Sequence, residues 1–186
     1  MRRFLPLAAL ALLAAPAAAQ HGGHRHHGAT PAPAGAAESR PYAGLQGRAI
    51  KSLSEEQVAD LLAGRGMGLA LAAELNGYPG PAHVLEHAEA LGLTPAQRAT
   101  AEALHARMAE EARILGARIV ALEQELDALF AGGAADTGRL AALTAEIGAL
   151  NGRLREVHLA THIGMREALD ATQRAAYARL RGYAAQ

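Results

Sequence analysis

Two long runs of helical spacing, parted by Gly132-Gly133, constrain this chain more than any other feature. In the first, Leu104, Met108, Leu115, Ile119, Leu122, Leu126 and Leu129 recur at steps of three, four and seven. In the second, Leu140, Leu143, Ile147, Leu150, Leu154 and Val157 keep the same period. A two-glycine connection makes the helices antiparallel neighbours, with residues whose numbers sum to about 268 lying side by side.

The first run opens at LTPAQ (93–97), where Thr94 caps, Pro95 takes the first helical position and Gln97 closes a capping box. LDATQ (169–173) repeats this grammar and opens a last helix, RAAYARLRGY. Upstream, SEEQ at 54–57 starts a short helix reaching about Ala63. GRGMG then forms a joint and NGYPGP a sharp turn, and a further short helix runs from Pro81 to Leu91. The glycines of GRGMG follow no strand and lack the spacing of a phosphate-binding loop. No segment alternates as a strand. The expectation is an all-α fold, a long antiparallel helical hairpin with short flanking helices. Hydrophobic residues are 51% and aromatics only 3%, with alanine prominent, which suits thin helix-on-helix packing.

Residues 1–19 read as a secretory leader, with Arg2 and Arg3, a short apolar run and an A-x-A site before Gln20. Residues 20–47 are a low-complexity His/Ala/Pro segment expected to be disordered. Residues 48–80 form a short helical extension and 81–186 the hairpin domain. The expected compartment is the periplasm, with no membrane span after cleavage. Losing Arg2 and Arg3 from 18 basic residues leaves 16 against 18 acidic, a charge of −2, and no basic face for nucleic acid. The absence of cysteine excludes disulfides and thiolate metal sites.

Histidine carries the chemistry. His21, His24, His26 and His27 lie in the low-complexity tail, where they could hold zinc, copper or nickel loosely or simply be solvated. The other five are His83 and His87 in HVLEH, His105, and His158 and His162 in REVHLATH. Each pair has the i, i+4 spacing at which two imidazoles can share an ion. His158, His162 and Met165 fall within an arc of roughly 60° on one helix. The hairpin brings all five histidines to one end, with Glu86, Glu102 or Met165 as further ligands. The competing reading is a set of partly exposed histidines lining that end. HVLEH also matches the inverted zinc-protease signature, but a slim hairpin offers no evident cleft and no acidic third ligand downstream, so no enzyme is expected. The arginines of the long helices alternate with glutamates and read as solvated faces.

The paired motifs LTPAQR and LDATQRAAY, with the hairpin between them, resemble the periplasmic LTxxQ family of Spy- and CpxP-type chaperones, zinc-resistance-associated proteins and CnrX-type heavy-metal sensors. The resemblance spans roughly residues 81–186. It implies a hooked four-helix hairpin, commonly a homodimer, and a bound divalent transition metal. Carried over by position, the sensor ligands fall on His83, His87, His105 and Met165. The sensors' remaining histidine position is Thr161 here, with His158 and His162 on either side. These extra nitrogens suit zinc or copper as well as nickel or cobalt. The implied partners are the metal ion and either a membrane sensor protein or unfolded periplasmic clients. An ATP-independent chaperone with incidental histidines is the alternative the same resemblance allows.

Overall fold

A computed structural model describes residues 41–133 and 135–183. The expected leader and the tail histidines His21, His24, His26 and His27 lie outside the described residues. Within the stretch expected to be unstructured, Leu45–Gly47 forms one 3-10 turn. Six α-helices follow among the described residues, α1 (Glu55–Ala63), α2 (Leu71–Glu74), α3 (Pro81–Glu86), α4 (Pro95–Ala131), α5 (Thr137–Ala168) and α6 (Ala171–Leu180). No strand occurs among the described residues, and none of their helices is long and apolar enough to cross a membrane.

The helix starts obey their capping residues. Ser54 with Gln57, Thr94 with Gln97 and Asp170 with Gln173 each form the reciprocal capping box, which satisfies two orphan N–H groups per helix. The second and third boxes also meet. Gln97 Nε2 donates to Gln173 Oε1 at 2.8 Å and Gln173 Nε2 returns a bond to Gln97 Oε1 at 3.0 Å. Gln97 also donates to the Ala168 carbonyl at 3.0 Å and Gln173 to that of Leu91 at 3.3 Å. The two glutamines thus clasp the foot of α4 to the start of α6.

The hairpin register falls within one helical turn of the expected one. Cross-helix ion pairs join Arg118 to Glu146, Glu125 to Arg139 and Glu111 to Arg153, each pair summing to 264. Near its tip the seam is Leu122, Leu143 and Ile147, all buried. Farther down, α1 lies against the pair, and Ile50, Leu61, Ala112, Ile119, Val120 and Leu154 form a second apolar cluster. A Cβ added at Gly116 would sit 2.0 Å from the Leu61 carbonyl oxygen, so α1 can cross α4 there only over a glycine. At the foot, Val84, Leu91, Ala101, Met165, Leu169 and Tyr177 form the third cluster.

One expected element is shorter than its sequence suggested. α3 ends at Glu86 rather than Leu91, and the chain continues in tight turns such as Ala88 N–H to the Leu85 carbonyl. Ala88 and Leu91 are buried with Val84 through these turns.

Candidate metal centre

A cavity of about 790 Å³ opens where α1, the 64–68 joint, α2 and α3 meet the lower hairpin. Its wall includes His83, His105, His158 and His162, together with Met67 and Met108. Four of the five candidate histidines therefore share one space, delivered by α3, α4 and α5 as the hairpin topology requires.

His158 is the most constrained of them. It is 5% exposed, and its Nε2 is buried without a hydrogen-bond partner among the described residues. An orphaned buried nitrogen is costly unless something binds it. Burial, with the charge of nearby His162 adding to it, holds this imidazole below its usual pKa and keeps the ring neutral. His162, one turn on, accommodates a different constraint. Its Nδ1 lies 2.8 Å from the Tyr78 carbonyl oxygen, an acceptor only, so Nδ1 carries the proton. In a neutral ring, Nε2 is then the free lone pair, the arrangement metal-binding histidines commonly adopt. Tyr78 is itself pinned by the Arg166 guanidinium, 4.3 Å from its ring centroid. Gly80 leaves room for the ring, since a Cβ there would come within 2.9 Å of His162 Cε1 and 3.1 Å of Nε2.

His83 and His105 reach the cavity with looser restraint. His83 Nδ1 contacts Glu86 Oε2 at 2.9 Å, and this hydrogen bond holds the exposed Glu86 carboxyl below its ordinary range. His105 is half-buried on α4.

Two of the expected ligands lie elsewhere. His87 is the C-cap of α3, its N–H still bonded to the His83 carbonyl at 3.2 Å, but with φ −105° and ψ 19° it leaves the helical conformation, and it lines a separate pocket with Glu86, Glu89 and Arg98. Met165 is fully buried in the foot cluster beside Val84 and Leu169. Glu102 is exposed on α4. Among the described residues no three His, Asp or Glu side chains stand close enough together to hold one ion. The donors ring the cavity wall rather than converge on a point.

Sequence reasoning passed over Glu74. It is 7% exposed, and its Oε1 accepts from the hydroxyls of Tyr177 at 2.5 Å and Tyr183 at 3.1 Å. Its Oε2 accepts from the Gly80 N–H at 3.1 Å and lies 3.6 Å from His162 Nδ1. Burial and the bond to Glu74 push the Tyr177 hydroxyl far above its usual pKa, so it remains a donor. The available signal was a single carboxylate inside the apolar run LALAAEL, since a buried charge demands partners.

Fold and cavity together define a small helical-hairpin protein with imidazoles gathered at the foot of its two long helices. Residues 61–176 match the family described as heavy-metal resistance, and the chain belongs to that family. No curated protein and no solved structure matches it.

Proposed function

We propose that this chain is an exported, periplasmic protein, not an enzyme, that captures a transition-metal cation (zinc, copper, nickel or cobalt) in the cavity at the hairpin foot. His158 and His162 would hold it through Nε2, with His105 and His83 completing the set. The observation that carries this reading is the buried His158 Nε2, unpartnered beside a second imidazole whose other nitrogen is anchored on a carbonyl. Membership of the heavy-metal resistance family supports the same chemistry. Because the donors are spread around the wall, capture would draw α3 toward the hairpin. Two arrangements of α3 would then exist, which a membrane sensor or a second copy of the chain could distinguish.

Calorimetric titration with zinc, copper and nickel tests this on a chain whose four tail histidines are replaced by alanine. Tight binding should survive that change and disappear in His158→Ala/His162→Ala. Equal affinity with and without those two imidazoles would sink the reading.

A second reading is an ATP-independent chaperone. Leu62, Leu71, Leu75 and Ile114 are 47–63% exposed, and apolar surface of this kind can shield unfolded clients. Protection of an aggregating client that ignores both chelator and the two His→Ala changes would favour it.

A further inference from the structure

The cavity wall has a chemical bias that the histidines alone do not reveal. Its carboxylates are Asp60 and Glu74. Asp60 is held by Arg65 at 2.5 Å, and both oxygens of Glu74 are taken by Tyr177, Tyr183 and the Gly80 N–H. The hard oxygen donors are therefore engaged. Three arginines, Arg65, Arg113 and Arg181, stand against these two carboxylates on the same wall, so it carries no net negative charge to attract a doubly charged ion. The remaining donors are neutral: imidazole nitrogens and the thioethers of Met67 and of Met108, which also packs against the Ile50 and Leu61 cluster.

Met67 is held there at a cost. With φ 42° it is the one non-glycine residue in the left-handed region among the described residues, although it sits between Gly66 and Gly68. Such strain persists where the side chain is needed, since glycine would adopt the conformation freely. Met108, on the wall of the same cavity, rises from α4 one turn beyond His105.

We infer that the cavity is selective for a soft monovalent d10 cation, copper(I) or silver(I), bound by the thioethers of Met67 and Met108 with the imidazoles of His158 and His105. The inference rests on the proposed metal capture and sharpens it to a cation class. Thioether and imidazole donors together favour such ions, and neutral ligands suit a single positive charge. Zinc, which gains from carboxylate and thiolate donors, would be held by imidazoles alone and more weakly.

Silver(I), which needs no reductant, is the practical probe. In chloride-free buffer, silver(I) and zinc(II) are titrated into the full-length chain carrying alanine at the four tail histidines. Met67→Leu/Met108→Leu should weaken silver(I) at least tenfold and leave zinc(II) within twofold. In the parent chain with methyl-labelled methionine, silver(I) should shift the Met67 and Met108 methyl resonances and leave that of Met165 in place. Unmoved Met67 and Met108 resonances, or silver(I) affinity unchanged by the methionine pair, overturns the inference; the metal-capture reading then stands if His158→Ala/His162→Ala still abolishes zinc(II) binding. Loss of neither metal in that histidine pair removes the capture reading itself.

Discussion

The two ends of the hairpin solve opposite packing problems. Near the tip, Leu122, Leu143 and Ile147, flanked by Leu126 and Leu129, make an apolar seam between α4 and α5 alone. Toward the foot, Ala101, Ala112 and Gly116 are buried on α4, and their small size admits α1, α3 and α6 against the pair. Every buried polar residue of the described chain, Glu74, His158, Thr161 and Gln173, belongs to that crowded half. Large side chains close the seam between the two helices, and the segment before α1 reaches this level through polar bonds from Lys51 to Asp127 and Ser52 to Glu123. Small ones let further segments approach, and there Glu74, Thr161 and Gln173 are withdrawn from water with partners to satisfy them, while His158 Nε2 has none among the described residues.

The sharpest test of the comparison is at the tip. Leu122→Ala, at a side chain 1% exposed in a two-helix seam, should cost about 4 kcal/mol in urea unfolding, because nothing else can collapse into the space. A loss below about 1 kcal/mol would mean the seam is not close-packed. Next comes Gly116→Ala, where a methyl group would fall 2.0 Å from the Leu61 carbonyl oxygen. We expect a loss of about 3 kcal/mol, with α1 lifted off and the 64–70 joint cleaved faster by protease. Gln97→Ala should cost about 2 kcal/mol by removing both bonds to the Gln173 amide and leaving the Ala168 carbonyl without its side-chain donor. A double-mutant cycle with Gln173→Ala should give a coupling of about 1 kcal/mol or more, and additivity would show that the clasp contributes nothing of its own. Smallest is Gly148→Ala. This glycine lies at the level of Gly116 on the other helix, but a Cβ there meets no atom within 4 Å. Helix propensity alone should then raise stability by about 0.5–1 kcal/mol, seen as a higher urea midpoint.

Much of this fold was legible from local grammar. Ser54, Thr94 and Asp170, each followed at the third position by glutamine, marked three helix starts correctly, and Gly132-Gly133 fixed the reversal and the register. These signals act within a few residues, so no tertiary knowledge was needed. The site was less legible because it depends on which small residues are covered. Periodicity picked Leu115 as core, whereas Ala112 and Gly116 beside it are more deeply buried, because α1 crosses at their side. The i, i+4 spacing of His83 and His87 assumed a helix running on to Leu91, whereas α3 stops at Glu86 and His87 is its C-cap. Met165, chosen for its sulfur, serves as a core side chain. Met67 and Met108, which line the cavity with the imidazoles, carried no spacing that linked them to the histidines before the chain folded.

The glutamine clasp also limits how the molecule can age. Each amide gives a hydrogen to the other's oxygen, so the exchange requires two amides. Spontaneous hydrolysis of either one to a carboxylate, with water consumed and ammonia released, replaces an NH2 donor by an oxygen and sets two acceptors face to face. Chemical wear at Gln97 or Gln173 would therefore loosen α6 from the foot of α4 while every apolar contact of the tip stayed intact.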